Sequence, residues 1–207
     1  MTHAVHRMGT PESLARDYNL LAMVARKVDG VDAVAKLQEF LRIVQRVGAV
    51  NTGVSRRGSR FVKTDDEVER AITAHSTVHA TFDSEEKLCQ AVEEVKKADL
   101  GVSVTAHGLF DGLERCCRKN GLSFHTVALS IGLVGPEDLV PDPDILAIST
   151  MCGHGYVTFN LARKALDDVA AGRRNMDEVC KELARPCLCG IFNPIRAREI
   201  LLSRTAD

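Results

Sequence analysis

Apolar positions recur every three to four residues in two early windows. Leu14, Tyr18, Leu21 and Ala25 share one side over residues 11–25, and Val34, Leu37, Leu41 and Val44 do so over residues 32–47. That spacing is the mark of an amphipathic helix. Thr10-Pro11-Glu12 offers a capping hydroxyl and a proline suited to the first helical position, and Asp29-Gly30 breaks the run. The pattern predicts an N-terminal helical pair, followed by a loop over 48–58 in which glycines stand at 48, 53 and 58.

From residue 65 to about 134 the period switches back and forth. Helical spacing over 65–75, 84–98 and 109–120 alternates with short β-type runs, "TVHATF", "LGVSVTAH" and "FHTVALSIGL". Strands separated by helices imply an α/β fold with a small parallel or mixed sheet and crossover helices. A ferredoxin-like antiparallel arrangement is the alternative. In a parallel sheet, strand ends at His107 and Ser130 lie where open sheets place ligands, which makes both candidate substrate contacts. "GPEDLVPDPD" then gathers three of the six prolines and marks a boundary: an α/β domain over 1–140 and a helical segment over 141–207. Helices are predicted there at 144–150, 158–171, 175–184 and 194–203.

With 45% apolar residues the chain has material for a real core. No run approaches the roughly 20 apolar residues of a membrane span, and "MTHAVHRMGTPES" lacks a signal peptide's apolar stretch, so the expected location is the cytoplasm. A formal net charge of -1 and few aromatic residues give no sequence-wide attraction to nucleic acid. The dense basic stretch "RRGSRFVK", residues 56–63, is followed by acids at 65, 66, 67 and 69. It reads as a solvated loop or as a docking patch for an anionic partner.

Seven cysteines change the picture, because their odd number argues against a closed disulfide framework. Cys89, Cys116, Cys117 and Cys180 fall inside helical patterns and read as structural. Cys152, Cys187 and Cys189 lie in Gly- or Pro-marked turns. Cys152-Gly153-His154 and Cys187-Leu188-Cys189 stand just ahead of predicted helices, at opposite ends of a helical hairpin. Three thiolates and an imidazole so paired suit a tetrahedral zinc site or an iron–sulfur cluster, and helix N-termini facing the sulfurs would favour thiolate. His75 and His79 are four apart, but no H-E-x-x-H accompanies them and the intervening Ser76 and Thr77 start a strand.

Residues 152–201, "CGHGYVTFNLARKALDDVAAGRRNMDEVCKELARPCLCGIFNPIRAREIL", resemble the iron–sulfur domain of bacterioferritin-associated ferredoxins, in which two close Cys pairs flank a helical stretch of about thirty residues. The resemblance implies a 2Fe-2S cluster on Cys152, His154, Cys187 and Cys189. Two departures stand out: His154 replaces a cysteine, and the last pair has one intervening residue where the family has two. Imidazole in place of thiolate removes a negative charge from the iron and raises its reduction potential.

The favoured reading is a cytoplasmic iron–sulfur protein, an oxidoreductase or lyase, with a small-molecule substrate or a redox partner protein. If His154 is a surface or capping residue, the fourth ligand is water, substrate, His107 or His125, and an open iron acts as a Lewis acid. Two rivals remain: a zinc-stabilised binding or regulatory protein, and a metal-free enzyme with a reactive cysteine.

Overall fold

The computed structural model describes residues 4–25 and 31–204. The chain is α/β, and its strands are β1 (Tyr18–Met23), β2 (Asn51–Val54), β3 (Gly58–Ser59), β4 (Thr77–Phe82) and β5 (Ser103–His107). They form one sheet in the order β3-β2-β4-β1-β5, and every neighbouring pair is antiparallel. The helices that cross between strands are α2 (Val31–Arg46), from β1 to β2, and α4 (Glu85–Ala98), from β4 to β5. Each crossover joins two strands that run the same way, but a third strand enters between them. The sheet is therefore antiparallel rather than parallel or mixed, in the split βαβ arrangement called ferredoxin-like.

Both N-terminal helices form, but the first, α1 (Pro11–Leu14), is a single turn capped by Thr10. The residues beyond it, where helical spacing continues, make β1. Tyr18 and Leu21 share a face only in a helix, and as a strand they point to opposite faces, both of which are buried; pairing decides, because β1 is bonded to β4 on one edge and β5 on the other, which serves the backbone groups of a buried segment. The predicted break at Asp29-Gly30 lies outside the described residues. The expected loop at 48–58 folds instead into the β2–β3 hairpin, with Arg56 left-handed at its turn (φ 63°).

The two faces of the sheet differ in character. Tyr18, Leu20, Ala22, Val54, Val78, Ala80 and Phe82 pack with Leu37, Phe40, Leu41 and Val44 of α2 and Leu88 and Ala91 of α4. Ser84 caps α4, and Thr64 with Glu67 forms a capping box on α3 (Asp65–Arg70). Helix α5 (Phe110–Lys119) packs on α4. The opposite face is polar: His107, Asn19, Thr81 and Asn51 are register partners across four adjacent strands, and all four are buried.

The third predicted run, "FHTVALSIGL", does not join the sheet; residues 126–134 are irregular. The C-terminal helices follow: α6 (Pro143–Thr150), α7 (Phe159–Ala170), α8 (Met176–Ala184) and α9 (Pro194–Ser203). They enclose a second apolar cluster containing Ile148, Met151, Leu166, Leu183, Phe192 and Leu201. No helix among the described residues is long and apolar enough to cross a membrane.

A buried charge group ties the two clusters together. The Asp17 carboxylate, at the entrance to β1, accepts from Arg7 through one oxygen and from Arg196 of α9 through the other, at 2.8 Å in the second case. Arg196 is fully buried and also donates to Ser13 Oγ at 2.9 Å and Met8 O at 2.6 Å. Burial pulls the Arg196 guanidinium below its ordinary value and Asp17 opposes that pull. A single carboxylate thus faces two buried cations, and its loss strands both. Asp17→Ala is expected to cost about 3–5 kcal/mol, read as a lowered midpoint in urea unfolding.

Candidate metal centre

The turn over residues 187–192 lies on the polar face of the sheet, and four of its backbone carbonyls take donors from the sheet. Gly58 N–H of the β2–β3 hairpin donates to Leu188 O at 3.0 Å, and Thr81 Oγ1 to Gly190 O at 3.0 Å. Asn51 Nδ2 donates to Phe192 O at 2.8 Å. The Asn19 amide satisfies all its neighbours when Nδ2 donates to Thr81 Oγ1 and to Ile191 O (3.3 Å) and Oδ1 accepts from Arg7. A buried carbonyl without a donor costs on the order of 1–3 kcal/mol, so this row of short polar side chains is what allows a turn to sit in the interior.

Contact is backbone against backbone at the centre. A Cβ on Gly53 would lie 2.8 Å from the Cys189 carbonyl, and one on Gly190 would lie 2.5 Å from Gly53 N. Gly190 also holds φ 82°, which favours glycine. Arg7 completes the clasp, since its guanidinium donates to Ile191 O and, at 3.0 Å, to Met151 O. One side chain therefore joins the residue before Cys152 to the residue two beyond Cys189.

The consequence is that Cys152, Cys187 and Cys189, from two loops 35 residues apart at their nearest members, meet in one buried place, each 1% exposed or less. Cys152 and Cys187 are side-chain partners, Cys187 Sγ lies 3.7 Å from Cys189 Sγ, and Cys189 Sγ lies 3.8 Å from His154 Nδ1. Two sulfurs on one tetrahedral ion, each about 2.3 Å from it, are separated by about 3.8 Å. The contacts run as a chain, 152–187–189–154, and among the described residues no group of three or more His, Cys, Asp or Glu is already closed around one metal position. His154 is exposed and stacks on Tyr156, with ring centroids 5.6 Å apart.

Crowding divides the thiols electrostatically. Contact with Cys187, then burial, pushes the Cys152 thiol up, while the N–H groups of His154 and Tyr156 pull the other way. Cys187 is drawn down by Cys152 but raised more by Cys189 and burial, to about 11, with Phe192 N–H opposing. Cys189 is lowered, by Cys187 first and by Ile191 N–H, against burial. Each sulfur thus has a backbone N–H from its own turn. These donors belong to the loops: the N-termini of α7 and α9 are already capped by Thr158 and Asn193, so the expectation that helix ends supply the N–H groups is replaced by turns that supply them.

The remaining predicted positions lie elsewhere. His107 ends β5 on the polar face beside Asn19, whereas Ser130 sits in the irregular segment, 3.3 Å from His6 Nδ1, with Gly132 N–H donating to it. The strand meant to carry Ser130 beside His107 does not form, so no shared sheet end presents the two. His79 is buried in β4 while His75 is exposed. His125 is exposed beside Thr126. The basic stretch 56–63 is the hairpin abutting Leu188, and Arg60 in it pairs with Asp65. Arg7, Asn19, Asn51, Gly53 and Thr81, which hold the turn, escape a search for ligating residues because none is a ligand.

Gly53→Val is expected to push the turn off the sheet at a cost of about 1–3 kcal/mol. In native protein it should also speed alkylation of Cys189 relative to wild type, measured by peptide mass spectrometry. No known protein family, curated protein or solved structure matches the chain.

Proposed function

We propose that Cys152, Cys187, Cys189 and His154 bind an iron–sulfur cluster, and that the protein is a cytoplasmic redox protein. The observation that carries this reading is the convergence of three buried free thiols and an imidazole, with sulfurs spaced as a tetrahedral edge and each met by a backbone N–H. Three thiolates packed this tightly repel one another, and a cation among them removes that penalty. The donor set fits a thiophilic metal: sulfur and imidazole, with no carboxylate among the four. N–H groups aimed at the sulfurs are the kind of contact that tunes a cluster's potential. Seven free thiols also accord with a reducing compartment.

Such a cluster would supply one-electron chemistry or, with an open iron, Lewis acidity. The chain's own residues do the rest. The sheet face fixes the turn bearing Cys187 and Cys189, Arg7 holds Met151 and Ile191 in common, and the apolar cluster around Ile148, Phe192 and Leu201 keeps water from the sulfurs. His154 is the one member on the surface, which makes it the ligand nearest any redox partner or small-molecule substrate. A zinc centre is the second reading, because a 3.7 Å sulfur edge suits zinc as well as iron.

Anaerobic purification followed by iron, zinc and acid-labile sulfide analysis separates the two. The expected result is iron and sulfide in equal amounts with visible absorption; Cys152→Ser, Cys187→Ser or Cys189→Ser each abolishes it, and His154→Cys keeps it at a lower reduction potential. Colourless protein with one zinc would transfer the site to the second reading, and native protein carrying neither metal would overturn both.

A further inference from the structure

Outside the cysteine site, the largest departure from a protein surface at rest is the segment following α5. Val127, Leu129, Ile131, Leu133 and Val134 are 49%, 71%, 88%, 54% and 82% exposed. Among the described residues, no backbone–backbone hydrogen bond involves residues 123–135. An unpaired run of alternating large apolar side chains is a template for another strand, and contiguous apolar patches of this kind mark association sites.

We propose that residues 124–134 are where two copies of this chain pair, antiparallel, about a two-fold axis near Ser130. The sequence is its own complement in that register. Val127 falls opposite Leu133 and Leu129 opposite Ile131, so these four large side chains of each copy share one face, and Ala128, Ser130, Gly132 and Val134 occupy the other. Two-fold pairing of one patch with itself is the commonest way a chain closes an assembly.

The four large side chains of the shared face, about 100 Å² each, give about 800 Å² with the partner's four, and backbone pairing along the seam brings the buried area toward the roughly 1,000 Å² that a specific interface requires. On the small-residue face Ser130 is half-buried and meets His6 Nδ1 of its own chain at 3.3 Å, whereas Ala128 and Gly132 are exposed. Gly132 departs from strand geometry, with φ 80° and its N–H bonded to Ser130 Oγ at 3.2 Å. Glycine reaches strand geometry at no steric cost, so it is the natural point of adjustment when the second copy arrives. Charge does not oppose the approach, because residues 126–134 contain no acidic or basic side chain.

Sedimentation equilibrium of the full chain at micromolar concentration tests this directly. The expected mass is twice the 22.6 kDa of one chain. Ile131→Asp should raise the dimer dissociation constant at least about tenfold, since a carboxylate would be buried in the seam. The side chain is almost wholly exposed in the single chain, so an unchanged far-UV circular dichroism spectrum should accompany that loss. Val62→Asp, at an exposed apolar position outside the segment, should leave the dimer intact. A wild-type monomer would overturn the proposal and assign the segment to a different partner. A dimer that Ile131→Asp leaves unweakened would overturn it as well. Neither result depends on whether the cysteine site holds iron, zinc or nothing.

Discussion

A turn is buried at little cost only when its carbonyls find donors, and the rest of this molecule is arranged around that requirement at Leu188, Gly190, Ile191 and Phe192. The sheet meets it with short polar side chains, Thr81, Asn19 and Asn51, on the face turned away from α2 and α4. Gly53 brings the backbone of β2 into direct contact with Cys189 and Gly190. With the carbonyls committed to the sheet, the N–H groups of Ile191 and Phe192 are left to the sulfurs. Folding and cysteine chemistry are thus two sides of one peptide arrangement.

Charge closes the same assembly from behind. Asp17 stands just before β1, and the guanidinium groups it holds reach in different directions: Arg7 to the carbonyls of Met151 and Ile191, and Arg196 to Ser13 and Met8. Asn193 joins in through Arg16 O at 2.8 Å while capping α9. Buried ion groups add little net stability against an apolar alternative; what this one adds is a fixed relation between the sheet and the two cysteine loops. That relation matters for the proposed centre, whose ligands would come from both loops, because small misplacement of either one separates the donors.

Much of this was legible in the sequence, and the failures have physical causes. Helices α2, α4 and α6–α9 follow from apolar spacing and caps such as Ser84, Thr158 and Asn193, since local signals govern their ends. β1 misled because it is buried on both faces, so its apolar residues do not alternate with polar ones and Tyr18 and Leu21 fall at helical spacing; only pairing to β4 and β5 decides. The run at 124–133 has strand alternation, yet β5 takes no partner there and the run stays outside the sheet. Among the site residues, the cysteines announced themselves by standing in Gly- and Pro-marked turns. Arg7 and Gly53 did not, because their importance lies in what they touch across more than 130 residues of chain.

The central claim is that the two loops deliver sulfur and imidazole to one metal centre. X-ray absorption at the metal edge of protein purified without air examines that directly. The account predicts a first shell dominated by sulfur at about 2.3 Å with a nitrogen contribution that His154→Ala removes. A shell made only of oxygen and nitrogen, or one unchanged when Cys187 and Cys189 are replaced by serine, would contradict it.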